Sequence, residues 1–268
     1  MLGKVIIILG HAYCGVVGVI VTYFIRFMEY VARNLIAFVE MLTGATFIMP
    51  ELPKARVKVD PIYQEKDNEM VDEPATLRDS PFPIKESDLI NKCKDVIKAQ
   101  FGCDKQDLLA DDFLFVFPVV GPLSKKDFVE IFSSFKMSSS LTGSPNYFNF
   151  SVDPMEPNRV WFFSRSVLKH TGDLIFGHQV IKPTGKTIVS PPQVLSMSFN
   201  EEGQCYKFTG GYSVDRTVGN TGGLGGLFGI LQAVGSPLPF PEGQPWTPSL
   251  AWQSYAKHFP NIPKVWKS

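Results

Sequence analysis

The hydrophobic and polar positions divide the chain into four stretches, and the first is the most apolar. Residues 5–25 (VIIILGHAYCGVVGVIVTYFI) run for 21 positions without a full charge, bracketed by Lys4 and Arg26. As a helix rising about 1.5 Å per residue this run is about 32 Å long, the thickness of a bilayer's hydrocarbon core. It is longer than the apolar part of a signal peptide and no small-x-small cleavage site follows, so a retained anchor is expected. His11 lies within two turns of Lys4 and reaches the headgroup region, while Gly10, Cys14, Gly15 and Gly18 form a small-residue face for helix packing. Phe27, Tyr30, Val31, Leu35, Phe38 and Leu42 continue at helical spacing, and Gly44 ends the pattern. Residues 1–44 therefore read as a transmembrane helix with an amphipathic continuation. Lys4 and the amino terminus oppose Arg26 and Arg33, so charge sets no orientation.

Residues 45–86 carry Pro50, Pro53, Pro61, Pro74, Pro81 and Pro83 with mixed charge and no period. Such a segment is expected to be an extended linker rather than a helix. A compact domain is expected over 87–218. Ser87 or Asp88 caps a helix with Leu89, Ile90, Cys93, Val96, Ile97 and Phe101 on one face, and Gly102 stops it. A strand over Phe113–Phe117 follows. Ser124 and Asp127 form a capping box opening a second helix with the face Phe128, Ile131, Phe132 and Phe135.

After Pro145 the period changes from helix to strand. Tyr147–Val152, Arg159–Lys169, Leu174–Lys182, Gln193–Asn200 and Gln204–Asp215 read as strands separated by DPMEPN, HTGD, KPTGK and NEEG turns. Helices followed by a meandering antiparallel sheet predict an α+β fold with helices on one face. Residues 219–268 then form a glycine-rich apolar segment and an aromatic, proline-rich extension. The glycines of GNTGGLGGLFGILQAVG lack the Lys-Ser/Thr of a phosphate loop, and Leu227, Phe228, Ile230, Leu231 and Val234 predict a short buried helix. The remainder, with Trp246, Trp252 and Trp266, is too apolar for a free tail and is expected to wrap a surface.

Lys plus Arg and Asp plus Glu are each 26, so the net charge is zero. A nucleic-acid-binding face carries a basic excess, so no nucleic-acid partner is expected. Charged residues are 19% against roughly a quarter in an average chain, and aromatics reach 13%, which excludes a disordered protein. Cys14, Cys93, Cys103 and Cys205 are too scattered for a disulfide framework or a zinc site. No metal and no cofactor is expected.

The order of elements, with LLADDFLFVFP, LSKKDFVEIFSSF, RVWFFSRSVLKHTGDL and YKFTGGYSVDRTVG, resembles the SnoaL-like branch of the NTF2-like superfamily. The resemblance covers residues 87–218. It implies a cone, a bent antiparallel sheet wrapped by helices with a pocket open at one end. It spans isomerases, cyclases and dehydratases as well as members that only bind or scaffold, so fold does not decide function. The run from VWFF to GGLFG also resembles SnoaL-like proteins of marine algae and protists, and this carries no activity over.

Asp215 ends the last strand, where some similar enzymes place a general acid or base. A carboxylate in an apolar cone has a raised pKa suited to proton transfer beside a carbonyl. The structural alternative is a pair with Arg216 or Arg165. His170, before Thr171-Gly172, either shuttles a proton with Asp215 or satisfies the backbone of a turn. Asp112, Trp161, Phe163, Arg165, His178 and Tyr212 complete the candidate pocket, with simple core packing as the plainer reading for the aromatics.

Two functions are expected from this reading. The first is a membrane-anchored accessory subunit of a membrane protein complex that uses the fold as a docking module. The second is a membrane-tethered cyclase, isomerase or dehydratase acting on a lipophilic carbonyl compound, or a carrier for a lipophilic small molecule. Either places the chain as a single-pass protein among membrane lipids, with an organelle membrane, mitochondrion or plastid, as the expected location.

Overall fold

The computed structural model of the chain describes residues 70–176 and 179–247. The expected transmembrane helix and its continuation, linker residues up to 69, His178 and the tail after Thr247 lie outside the described residues. Among the described residues no helix is long and apolar enough to cross a membrane.

The end of the expected linker is partly helical, which corrects the extended reading. Helix α1 (Glu73–Arg78) forms because Asp72 accepts a hydrogen bond from the Ala75 N–H and Pro74 sits in the first turn. Proline is tolerated there because that N–H has no helical partner in any case. Leu77, Phe82 and Ile84 pack on the main core, so the compact domain begins before Ser87.

Helix α2 (Glu86–Lys98) buries Leu89, Cys93 and Val96, the predicted face. Its N-cap is Lys85, without a side-chain cap, and Ser87 and Asp88 fall inside the first turn. There Glu86 and Asp88 favour the positive end of the helix. Strand β1 (Leu109–Val116) begins earlier than expected and leads to β2 (Leu123–Ser124) and helix α3 (Lys125–Ser134). The capping box is present: the Asp127 N–H donates to Ser124 Oγ at 3.2 Å, and Ser124 Oγ donates to the Asp127 carboxylate at 2.7 Å.

A one-turn helix α4 (Met137–Ser140) precedes β3 (Leu141–Ser144) and β4 (Tyr147–Val152). The predicted strand over 159–169 is two strands, β5 (Arg159–Ser164) and β6 (Val167–His170). The chain changes sheets at Arg165-Ser166, where the Arg165 N–H donates to Pro145 O and Ser166 O accepts from the Ser190 N–H. The hairpin β7 (Leu174–Phe176) and β8 (Gln179–Ile181) follows, then β9 (Thr187–Val189), β10 (Gln193–Phe199), β11 (Cys205–Ser213) and helix α5 (Gly226–Val234).

The main sheet has six strands in the order β2-β1-β11-β10-β5-β4. It is antiparallel except for β1 and β11, which run parallel, so the expected meander is corrected at that pair. Register shifts interrupt β1/β11, β10/β11 and β4/β5, and such bulges bend a sheet. One of the two shifts between β10 and β11 falls at Gly210 and Gly211, both at positive φ. A Cβ on Gly211 would meet the Phe117 ring at 2.5 Å, so only glycine lets that ring lie against the strand.

Alternation divides the main sheet. Phe113 and Phe115, Val160 and Phe162, Leu195, Met197 and Phe199, and Phe208 turn inward beneath α2 and α3. Their rings form a continuous set: Phe115 lies 5.2 Å from Phe128 and 5.6 Å from Phe208, and Phe208 lies 5.0 Å from Phe101. A second, smaller core joins the three-stranded sheet β3-β6-β9 and the β7-β8 hairpin to α5 through Leu174, Ile188, Ile230, Leu231 and Val234. The short buried helix expected in the glycine-rich segment is α5. The described part of the extension lies on the domain, with Leu238 buried and Phe240 edge-on to Phe228 at 5.8 Å.

Phe208 touches four other phenylalanines, so Phe208→Ala is expected to cost about 3–5 kcal/mol in denaturant unfolding, with Val214→Ala within about 0.5 kcal/mol.

Candidate functional site

The site implied by the resemblance was an interior pocket, and the inward face of the sheet is where it would lie. That space is filled by side chains. Phe113, Phe115, Phe128, Phe162, Phe199 and Met197 are each at most 2% exposed. Tyr147 closes the set, its ring 5.9 Å from both Phe101 and Phe162, and burial pushes its phenol pKa up to about 12. A shallow surface groove of about 440 Å³ lies beside the start of α3, lined by Asp111, Ser124, Lys125 and Glu130. In it Lys125 Nζ donates to Leu109 O at 2.8 Å and lies 3.4 Å from the Asp111 carboxylate.

Asp215 lies just beyond the end of β11 in solvent rather than in an apolar cone. Its Oδ1 accepts from the Thr217 N–H at 2.9 Å and from Thr217 Oγ1 at 2.5 Å. These bonds, with the positive charge of Arg165 adding to them, lower its pKa, the opposite of the raised value a buried acid would have.

His170 ends β6 and is fully buried. Its Nδ1 accepts from the Thr184 N–H at 3.2 Å and lies 3.1 Å from Thr184 Oγ1. Nε2 is buried without a hydrogen-bond partner among the described residues. The ring thus serves the backbone of the turn around Pro183, and no hydrogen bond joins it to Asp215, which follows a strand of the other sheet.

The remaining candidates lie away from the interior. Asp112 is exposed in β1. Trp161, Phe163 and Tyr212 occupy the outward face of the main sheet, as their register with Ser196 and Val194 shows. Trp161 Nε1 donates to Asp153 at 2.7 Å, and Phe163 stacks on Phe148 at 5.7 Å. Arg165 is exposed beside the turn at Pro145 and Asn146, with its carbonyl accepting from the Asn146 amide at 3.0 Å.

The outward face also carries a charged row that sequence reasoning passed over. Arg159, Ser198 and Lys207 lie side by side on β5, β10 and β11. Arg159 Nη2 is 2.7 Å from Glu156 Oε2, and the Arg159 guanidinium stacks 5.2 Å over Trp161. Lys207 is only 5% exposed, and burial lowers its pKa, with Arg159 lowering it further and Glu156 opposing. The alternation of Tyr206, Phe208 and Gly210 against Lys207 and Thr209 was the available signal. The described thiols offer no activated nucleophile: burial raises the pKa of Cys93 and Cys103, and that of Cys205 to about 12.

No family model matches the chain, and no curated protein matches it. Among solved structures it is similar to a SnoaL-like polyketide-cyclase-type protein from Jannaschia sp. CCS1, at 13% identity and TM-score 0.40, over 59% of this chain and 97% of that one. It is similar to an LEH-like epoxide hydrolase from M. tuberculosis, at 8% identity and TM-score 0.34, over 47% of this chain and 82% of that one. A third is an NTF2-like protein from Anabaena variabilis, at 17% identity and TM-score 0.31, over 47% and 92%. These stand as likenesses only.

Two measurements check the electrostatics. The Asp215 carboxyl is expected to titrate below the ordinary value of about 3.9 and to move up toward it in Thr217→Val, read by NMR. Its contribution to stability is present above the unfolded-state pKa and is lost as pH falls through the lowered folded value. For Lys207 the slope has the same sign, although here the lowered value records a charged form that folding disfavours rather than favours. Between its lowered folded pKa and about 10.4 the unfolded chain binds the extra proton, so stability rises with pH relative to Lys207→Met, read as the difference between the two melting curves.

Proposed function

We propose that this chain is a membrane-anchored, non-catalytic subunit of a membrane protein complex, built on an NTF2-like domain that serves as a docking module. The observation that carries the reading is the filled interior. Where the fold resemblance implies a ligand cavity, Phe113, Phe115, Phe128, Phe162 and Met197 are packed against one another. A substrate or a lipophilic cargo would have to displace several of them, and closely packed cores resist even one added methylene. The separate placement of Asp215 and His170 agrees with this, because proton transfer between them needs a shared solvent or substrate path.

The NTF2-like assignment rests on the element order: two helices, a strand hairpin, a third helix, then long bulged strands closing beside the first. Membrane anchorage rests on residues 5–25, whose uncharged length suits one span.

Mild-detergent solubilisation of the native membrane, a native gel and mass spectrometry of the band test the role. Comigration with a stable large complex is expected, unchanged in Asp215→Asn. Migration as a monomer or small homo-oligomer, with a small-molecule turnover abolished by Asp215→Asn, would return the chain to the cyclase or isomerase reading.

A further inference from the structure

The two ends of the main sheet differ in polarity. At one end lie the loops before β1, between β4 and β5, and between β10 and β11. These loops, residues 102–108, 153–158 and 200–204, hold Asp104, Asp107, Asp153, Glu156, Glu201 and Glu202 with Lys105, and the adjoining strand starts add Arg159, paired with Glu156, and Lys207, so acid remains in excess. At the other end lie the β1-β2 loop, the start of β4, the end of β5, the start of β10 and the end of β11, because β11 runs parallel to β1 and antiparallel to β10. The loop FPVVGP, residues 117–122, carries no charge, and neither do residues 144–149 or 190–194.

Exposed apolar side chains gather at this second end. Tyr212 is 61% exposed, Val214 56%, Trp246 54%, Val119 49% and Phe148 46%. The Phe117 ring beneath Gly211 ties the β1-β2 loop to the end of β11. Its charges are Arg165, Arg216 and Asp215, and Asp215 is held by Thr217. Arg216 lies 4.4 Å over the Trp246 ring, so the last described residues sit at this end too. The 21 residues that follow, 248–268, hold Lys257, Lys264 and Lys267, with Trp252 and Trp266, and no acid.

We infer that this apolar end of the sheet is a docking surface for an anionic lipid bilayer, with Val119, Val120, Tyr212, Val214 and Trp246 entering the headgroup boundary and the acidic loops turned away from it. Trp and Tyr favour that boundary because they present an apolar ring with a polar edge, and arginine and lysine nearby meet the lipid phosphates. The chemistry fits lipid better than an acidic protein groove, because the patch is prolines, valines and aromatic rings with only a rim of positive charge. The inference rests on the membrane anchorage proposed above and adds the orientation of the domain to it.

The test uses the full chain reconstituted in vesicles of phosphatidylcholine and phosphatidylserine, with brominated acyl chains as quencher. Three single-tryptophan forms are compared, all with the other tryptophans changed to Phe: the natural Trp246, Val120→Trp, and Glu202→Trp at the acidic end. Quenching of Trp246 and of Val120→Trp about twofold or more above Glu202→Trp is expected, falling when Arg165 and Arg216 are changed to Gln. Equal quenching at all three positions, or none at Trp246 and Val120→Trp, overturns the inference. Alkaline carbonate separates the two readings: a chain that stays in the pellet but is not quenched keeps its anchor and loses the docking surface, whereas a chain that washes off loses both. Crosslinking from Val120 to a protein in the native membrane, without lipid quenching, also overturns the lipid assignment.

Discussion

The contact on which the structure depends is the meeting of Phe208 with Phe115, Phe117, Phe128 and Phe101. It joins β11 to β1, α3 and the turn after α2, elements far apart in sequence. The parallel β1/β11 pairing closes the sheet beside its first long strand, and these rings hold it there. Aromatic pairs add to their burial through edge-to-face and offset geometry, so a cluster of this size favours one arrangement over many. The same cluster leaves little room for a ligand. The packing that stabilises the sheet is the same packing that fills the space beneath it.

Much of this was legible in the sequence. The face of α2, the capping box at Ser124 and the buried helix after the glycines followed from spacing alone, whereas on α3 Phe128 and Phe132 pack on the core as expected but Ile131 is exposed and Val129 takes a place in the packing. What was not legible depended on partners distant in the chain. Arg159–Lys169 has the composition of one long strand, and only the hydrogen bond from the Arg165 N–H to Pro145 O reveals the change of sheet. The β1/β11 parallel pairing joins residues almost a hundred positions apart, and no local period records it. The helix at Glu73–Arg78 was hidden because six prolines in the segment outweighed one aspartate cap.

The candidate site shows the same limit more sharply. Residue types singled out Asp215 and His170 as an acid and a base of the kind a proton-transfer reaction uses. Type says nothing about environment, and environment decides the chemistry. One group lies in water held by a threonine, and the other lies in a dry turn holding a backbone N–H. Phe163 and Tyr212 were read as pocket or core, yet the bulges in β4 and β11 and the alternation of β5 put them on the outward face.

That outward face and its two ends give the domain a direction. Its interior is apolar, the loops at one end of the sheet are acidic, and those at the other end are uncharged and aromatic. A catalyst buried in a cone requires no such polarity, since its chemistry lies inside. Charge placed at one end and rings at the other are what the proposed docking role requires, a body held in a set orientation against something apolar.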